Sequence, residues 1–168
     1  MTVRNGREFL SIPGPTTVPD EILSAMHRPA VDIYGSELIG VTEGCLADLR
    51  SVFRTRGRTY IYIGNGHGAW EAALANVLSA GDTVLVLESG RFAAGWGEMA
   101  AMMGPGVETL AGDQRRAVDP GMLEARLRED RDGRIKAILV VQVDTASGVA
   151  NDIRRCAGRS TRPAMARC

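Results

Sequence analysis

Thr59-Tyr60-Ile61-Tyr62-Ile63-Gly64-Asn65-Gly66-His67-Gly68-Ala69-Trp70-Glu71 changes character halfway along. Its first five residues are β-branched or aromatic and read as a strand. Glycine dominates the next five, and residues 69–78 then carry Ala, Leu and Val on one side, as a helix does. A strand that passes through a glycine turn into a helix points to an α/β fold.

The alternation persists downstream. Residues 83–87, Thr-Val-Leu-Val-Leu, predict a strand covered on both faces. A helix over about residues 92–103 follows, then a short strand at 107–110. Asp119-Pro120 opens a helix to about Arg128, and residues 135–141 carry the strongest strand pattern in the chain. The succession predicts a mostly parallel sheet with crossover helices. Upstream, Pro13, Pro15 and Pro19 impose an extended arm. A short helix is expected over residues 19–26 and a longer one over 37–53, with Ser36 as its N-cap. In the longer one Leu38, Val41, Cys45, Leu49 and Val52 recur every three or four residues, a face expected to be buried.

Composition narrows the function. With 168 residues, 45% hydrophobic and 24% charged, the chain suits one globular domain with a real core. Its 20 Lys and Arg balance 20 Asp and Glu, so no broadly basic nucleic-acid surface is expected. No apolar run is long enough for a membrane span, and the start does not read as a signal peptide. Cys45, Cys156 and Cys168 are too dispersed for a disulfide framework, and His27 and His67 fit no metal-ligand spacing. A reducing cytoplasm and no metal are the expectation. The basic set is lopsided: 19 Arg and one Lys, Lys136.

Three loops at the carboxyl ends of strands carry the chemistry. Gly64-Asn65-Gly66-His67-Gly68 enters a helix whose first-turn amides suit a phosphate, with His67 as a further donor. A plain tight turn satisfies the same spacing, and the glycines match neither the dinucleotide fingerprint nor the P-loop. Trp70 beside them suits a core or interface position, and Glu71 a helix-dipole partner. Glu88-Ser89-Gly90-Arg91-Phe92 offers an aromatic ring, which either covers a flat cofactor or packs its own helix. Gln142-Val143-Asp144-Thr145-Ala146-Ser147-Gly148-Val149 sets polar side chains at the rim where open α/β sheets bind ligands. His27, before Arg28-Pro29, reads as a turn residue.

In this order the loops resemble the class V group of fold-type I, pyridoxal-phosphate-dependent aminotransferases, above all the alanine–glyoxylate and serine–glyoxylate aminotransferases. The resemblance begins at Pro13-Gly14-Pro15-Thr16-Thr17-Val18-Pro19 and runs through Phe53-Arg54-Thr55-Arg56. It is most specific at Asn65-Gly66-His67-Gly68-Ala69-Trp70-Glu71-Ala72-Ala73-Leu74 and continues through Leu78-Ser79-Ala80-Gly81-Asp82 to Asp144-Thr145-Ala146-Ser147-Gly148-Val149. It implies an incomplete large cofactor-binding α/β domain over residues 36–153. Residues 1–35 would be an extended arm with a short helix, and 154–168 a tail. By position it implies that Asn65, Gly66 and His67 hold the phosphate of pyridoxal 5'-phosphate. Phe92 would stack on the pyridine, and Thr145 would lie close to that ring. Gly14 and Pro15 would line the substrate pocket. It further implies a homodimer that passes an amino group from alanine or serine to glyoxylate. Two alternatives share the scaffold: a lyase acting on cysteine or a related amino acid, and a non-catalytic fragment that binds a phosphate ligand or a partner.

Transamination needs a Schiff-base lysine and an acidic partner for the pyridine nitrogen. The resemblance places both beyond the loop of Thr145. Lys136 lies at the wrong end of its strand: roughly six residues at about 3.3 Å each put it roughly 20 Å from the rim. Asp144 is near the rim, but the resemblance gives it no such role. Residues 154–168 hold five Arg and two Cys without period, which suggests a change of reading frame and no structure. The chain alone is therefore expected to be inactive.

Overall fold

The computed structural model describes residues 10–160. They run α1 (Asp20–Met26), α2 (Ser36–Val52), α3 (Gly66–Val77), β1 (Thr83–Leu87), α4 (Arg91–Met102), β2 (Gly106–Leu110), α5 (Pro120–Glu129), β3 (Ile135–Leu139), β4 (Val143–Asp144), β5 (Val149–Ala150) and α6 (Ile153–Ser160). Internal contacts divide the chain between Ile63 and Gly64, so α2 groups with the arm and not with the sheet.

In the second unit the unbroken apolar run of β1 demands cover on both faces, and it has it. β1 lies between β2 and β3, parallel to both, with Thr83 opposite Gly106 on one side and Ile135 on the other. Alternate side chains serve alternate faces. Val84 and Val86 pack with Leu74 of α3, Ala100 of α4 and Leu139. Leu85 and Leu87 pack with Val118, Leu123 of α5, Ile135 and Cys156 of α6. Gly97 lets α4 come close, because a methyl group there would stand 2.8 Å from Val86 Cγ2. The result is three layers, helices on either side of a parallel sheet. Each fully buried leucine contributes about 1.5–3 kcal/mol of burial energy.

The layering follows from the strand order. The chain leaves β1 for β2 on one side, then doubles back past β1 to β3 on the other. Two crossovers of the same hand running in opposite directions must place their helices on opposite faces, which is where α4 and α5 lie.

Asp119 caps α5 as expected, its side chain accepting from Gly121 N–H. Other details depart from expectation. Residues 59–63 form no strand: no strand is assigned there, and Ile61, Tyr62 and Ile63 are exposed. Strand propensity without a neighbouring strand to pair with makes no strand. α2 begins after Gly35, not after a Ser36 cap, and none of its residues is buried. α3 starts at Gly66, which moves Glu71 out of the first turn. The expectation of an unstructured tail fails for Ile153–Ser160, which forms α6 with Cys156 only 4% exposed. Asp152 accepts from Arg155 N–H at its start, and Arg159 pairs with Glu124 of α5. Residues 161–168 lie outside those described.

In the first unit α1 and α2 carry no buried residue. Thr59 Oγ1 donates to Leu46 O at 2.7 Å, tying the segment after α2 to that helix. No helix among the described residues is long and apolar enough to cross a membrane.

Candidate functional site

β1 and β3 are neighbours whose outgoing chains diverge, β1 into α4 on one face and β3 onward to α6 on the other. A parallel sheet opens a crevice at the carboxyl ends of such a pair. Here the crevice is laced by Asp144, which is fully buried. Its Oδ2 accepts from Ala93 N–H at 3.0 Å and its Oδ1 from Ala146 N–H at 3.1 Å. Gly90, the N-cap of α4, has no side chain to cap with. Asp144 supplies that cap from 51 residues away. Gly90 must be glycine for space: a methyl there would sit 2.4 Å from Asp144 Cγ. Ser147 Oγ donates to Ser89 O at 2.8 Å, and Asn151 Nδ2 donates to Ser89 Oγ at 2.9 Å and to Val141 O at 2.7 Å. Buried and half-buried hydrogen bonds thus hold the loop after β1 against the β4–β5 hairpin and the Asn151 that follows it.

Asn65 is the N-cap of α3, its Oδ1 accepting from His67 N–H at 3.1 Å and Gly68 N–H at 3.2 Å. An Asn just before a helix is a recognised cap signal, legible in the sequence. A phosphate at this end would therefore meet Gly66 N–H, the Asn65 Nδ2 amide and the His67 ring before displacing the cap. The first turn holds no acidic residue to repel it. Methyl groups at Gly64, Gly66 or Gly68 would project into open space, so packing does not require glycine there.

His67 and Phe92, from the starts of α3 and α4, come together with ring centroids 6.1 Å apart. Thr145 is exposed in the turn of the β4–β5 hairpin, directly after Asp144. Gly14 and Pro15 are exposed in the arm of the first unit. His27 is the exposed C-cap of α1, a turn residue as read. Lys136 sits at the amino end of β3 and its Nζ donates to Gly133 O at 3.3 Å. Asp144, Gly90 and Asn151 were not singled out by sequence reasoning as site builders; only Asp144 carried a signal, an acid beside the rim. A cavity of about 400 Å³ beyond Arg91 is lined by Gln114, Arg115 and Ser147 and by none of the residues expected to hold the cofactor. Asp113 at its edge is held below the usual carboxylate range, first by the N–H of Arg115 and further by that of Arg116. Among the described residues no cluster of His, Cys, Asp or Glu could hold a metal ion.

Tested against pyridoxal 5'-phosphate, this donor set fits. An acid-free helix start faces open space, and an aromatic ring stands at the next strand end. Nothing at this edge supplies a lysine.

Known proteins resemble the chain over most of its length. The chain is 35% identical over 153 residues to the serine–glyoxylate aminotransferase of Methylorubrum extorquens, covering 90% of this chain and 38% of that protein. It is 33% identical over 149 residues to the serine–glyoxylate aminotransferase of Arabidopsis thaliana, covering 88% and 37%. The crystal structure of pyridoxamine–pyruvate aminotransferase from Mesorhizobium loti matches with a TM-score of 0.77 at 25% identity, over 88% of this chain and 37% of that one. No protein-family model matches the chain. Its α/β architecture is that of part of a fold-type I aminotransferase domain. The chain belongs among the fold-type I pyridoxal-phosphate-dependent aminotransferases related to the serine– and alanine–glyoxylate enzymes. It spans less than two-fifths of the length of these two curated relatives.

Proposed function

We propose that this chain is the phosphate- and ring-binding portion of an aminotransferase that moves an amino group from alanine or serine to glyoxylate. The observation that carries the reading is the meeting of His67 and Phe92 at the crevice edge, 6.1 Å apart. In this reading Asn65, Gly66 and His67 hold the phosphate, Phe92 covers one face of the ring, and Thr145 lies beside it. Gly14 and Pro15 are assigned to the substrate pocket of the intact enzyme, which we take to be a homodimer. Of residues 36–153, read from the sequence as its partial cofactor domain, only those from Gly64 on lie in the unit that holds the sheet. Cys45 and Cys156, both free thiols, suit a reducing compartment such as the cytoplasm.

The chemistry that pyridoxal 5'-phosphate supplies when bound is an electron sink for bonds around the amino-bearing carbon. The residues here bind and orient. Gly66 N–H, the Asn65 side-chain amide and the His67 ring would take phosphate charge, while Phe92 would exclude water from one face of the ring. Neither Lys136 nor Asp144 is placed to move the proton that transamination shifts. Lys136 lies at the opposite end of its strand, and both oxygens of Asp144 are engaged by backbone N–H groups. The chain alone is accordingly a binding unit, inactive in transfer.

Equilibrium dialysis with pyridoxal 5'-phosphate, set beside an assay of alanine- or serine-dependent glyoxylate consumption, tests both halves. Saturable binding, weakened on the order of tenfold by His67→Ala in line with a lost charge-assisted contact, is expected without turnover. Turnover at an enzymic rate would end the claim of inactivity, and no saturable binding would end the cofactor reading. A purely non-catalytic ligand-binding module is the second reading. It is favoured by the closed two-sided core of the second unit, and it would bind inorganic phosphate as tightly as the whole cofactor.

A further inference from the structure

Four rings meet where α3 and α4 face each other, and one of them touches the other three. The Trp70 indole meets the His67 ring edge-on, centroids 4.8 Å apart at 69°. It meets Phe92 in the same manner at 6.2 Å and 71°. It lies flat on Trp96 at 5.2 Å and 11°. Edge-to-face and offset-stacked contacts are the attractive geometries of aromatic pairs, so all three contacts hold Trp70 in one orientation. His67 precedes Trp70 by three residues on α3, and Phe92 precedes Trp96 by four on α4, the spacings that put side chains on one helical face.

The two ring partners differ in how they are held. His67 is exposed on the first turn of its helix, where its aromatic neighbours among the described residues are Trp70 and Phe92. Trp96 is fixed more deeply: its Nε1 is buried without an acceptor among the described residues. A buried indole N–H left unpaired is unfavourable. Trp96 is therefore used for its flat face, as the backing plate of Trp70.

We propose that Trp70 is a positioning residue: clamped by Trp96, it sets the spacing and tilt between His67 and Phe92. The spacing itself stands on ring geometry. Its use in the cofactor site rests on the proposed reading of His67 and Phe92.

The test has two arms, both on the full chain. Without ligand, circular dichroism reads the coupling of the stacked indoles, and nuclear magnetic resonance reads the ring protons of His67 and Phe92. Trp70→Leu should abolish the indole couplet and move both sets of ring protons toward their unshielded positions. Trp70→Phe keeps a smaller ring at the site, so those shifts should shrink without vanishing, and it serves if the leucine variant does not fold. Unchanged His67 and Phe92 ring shifts in the folded variant overturn the proposal. The second arm measures pyridoxal 5'-phosphate affinity in a double-mutant cycle of His67→Ala and Phe92→Leu. Coupling on the order of fivefold in Kd is expected with Trp70 present, falling within about twofold in Trp70→Leu. Coupling that persists undiminished overturns the positioning role and leaves the cofactor reading intact. A chain with no saturable binding overturns the cofactor reading, and the ring shifts then decide the role of Trp70.

Discussion

α2 and β1 carry comparable apolar signals and meet opposite fates. In α2 the apolar residues fall at helical spacing, yet none is buried, with Val41 58% and Val52 72% exposed. In β1 the run from Val84 to Leu87 is buried to 0–1% exposure. Periodicity marks a face that would gain from cover, but it does not supply the cover. β1 has its cover within the stretch from α3 to α6, because each crossover returns a helix to the sheet. The difference teaches that completeness is a property of the unit, not of the element.

Substitution should expose that contrast most sharply. Leu85→Ala is expected to cost the second unit about 2–5 kcal/mol, through lost burial and the cavity left behind. Val52→Ala should cost no more than about 0.5 kcal/mol. Denaturant melts can separate the units, since both tryptophans, Trp70 and Trp96, lie in the second and all three tyrosines in the first. Equal losses at the two positions would break the comparison.

A smaller effect is expected within the second unit. Asp144→Ala leaves the N–H groups of Ala93 and Ala146 without their acceptor and should cost about 1–3 kcal/mol. Asp144→Asn should cost less, since its amide oxygen still accepts from one of them. A melt of Asp144→Ala that matches the parent chain would show that the crevice is not held as described.

The smallest effect concerns thiols. Burial pushes the Cys156 thiol up, with Asp152 adding to the shift, so the folded chain holds this proton more tightly than the unfolded one. That contribution to stability is intact below the ordinary thiol range and is lost as pH rises through the raised value. Alkylation at mildly alkaline pH, mapped by mass spectrometry, should modify exposed Cys45 well before Cys156. Equal rates would take α6 out of the core.

Much of this fold was legible. β1 was read to the residue and α4 to within one, because apolar runs and turn residues bracket them cleanly. Residues 59–63 were misread because β propensity describes a half-buried pleated surface and not an isolated chain. α6 was missed because its one buried residue is Cys156, and one anchor makes no period. At the site, the loops announced themselves through glycine and polar residues, two of them following the strands β1 and β3. The Asp144 cap did not, since nothing local links it to a helix 51 residues away. The cap by Asn65 was available to a reader who weighed Asn before a helix above glycine spacing.

Lys136, set aside above for lack of reach, lies on an outermost strand: in the order β2-β1-β3 only one edge of β3 is paired among the described residues. Residues 135–141, Ile-Lys-Ala-Ile-Leu-Val-Val, would otherwise be a seven-residue uncharged stretch of the kind that stacks into fibrils. One exposed ammonium interrupts it, as charges on natural sheet edges do. The one lysine of this chain thus places a charge inside its most fibril-prone strand.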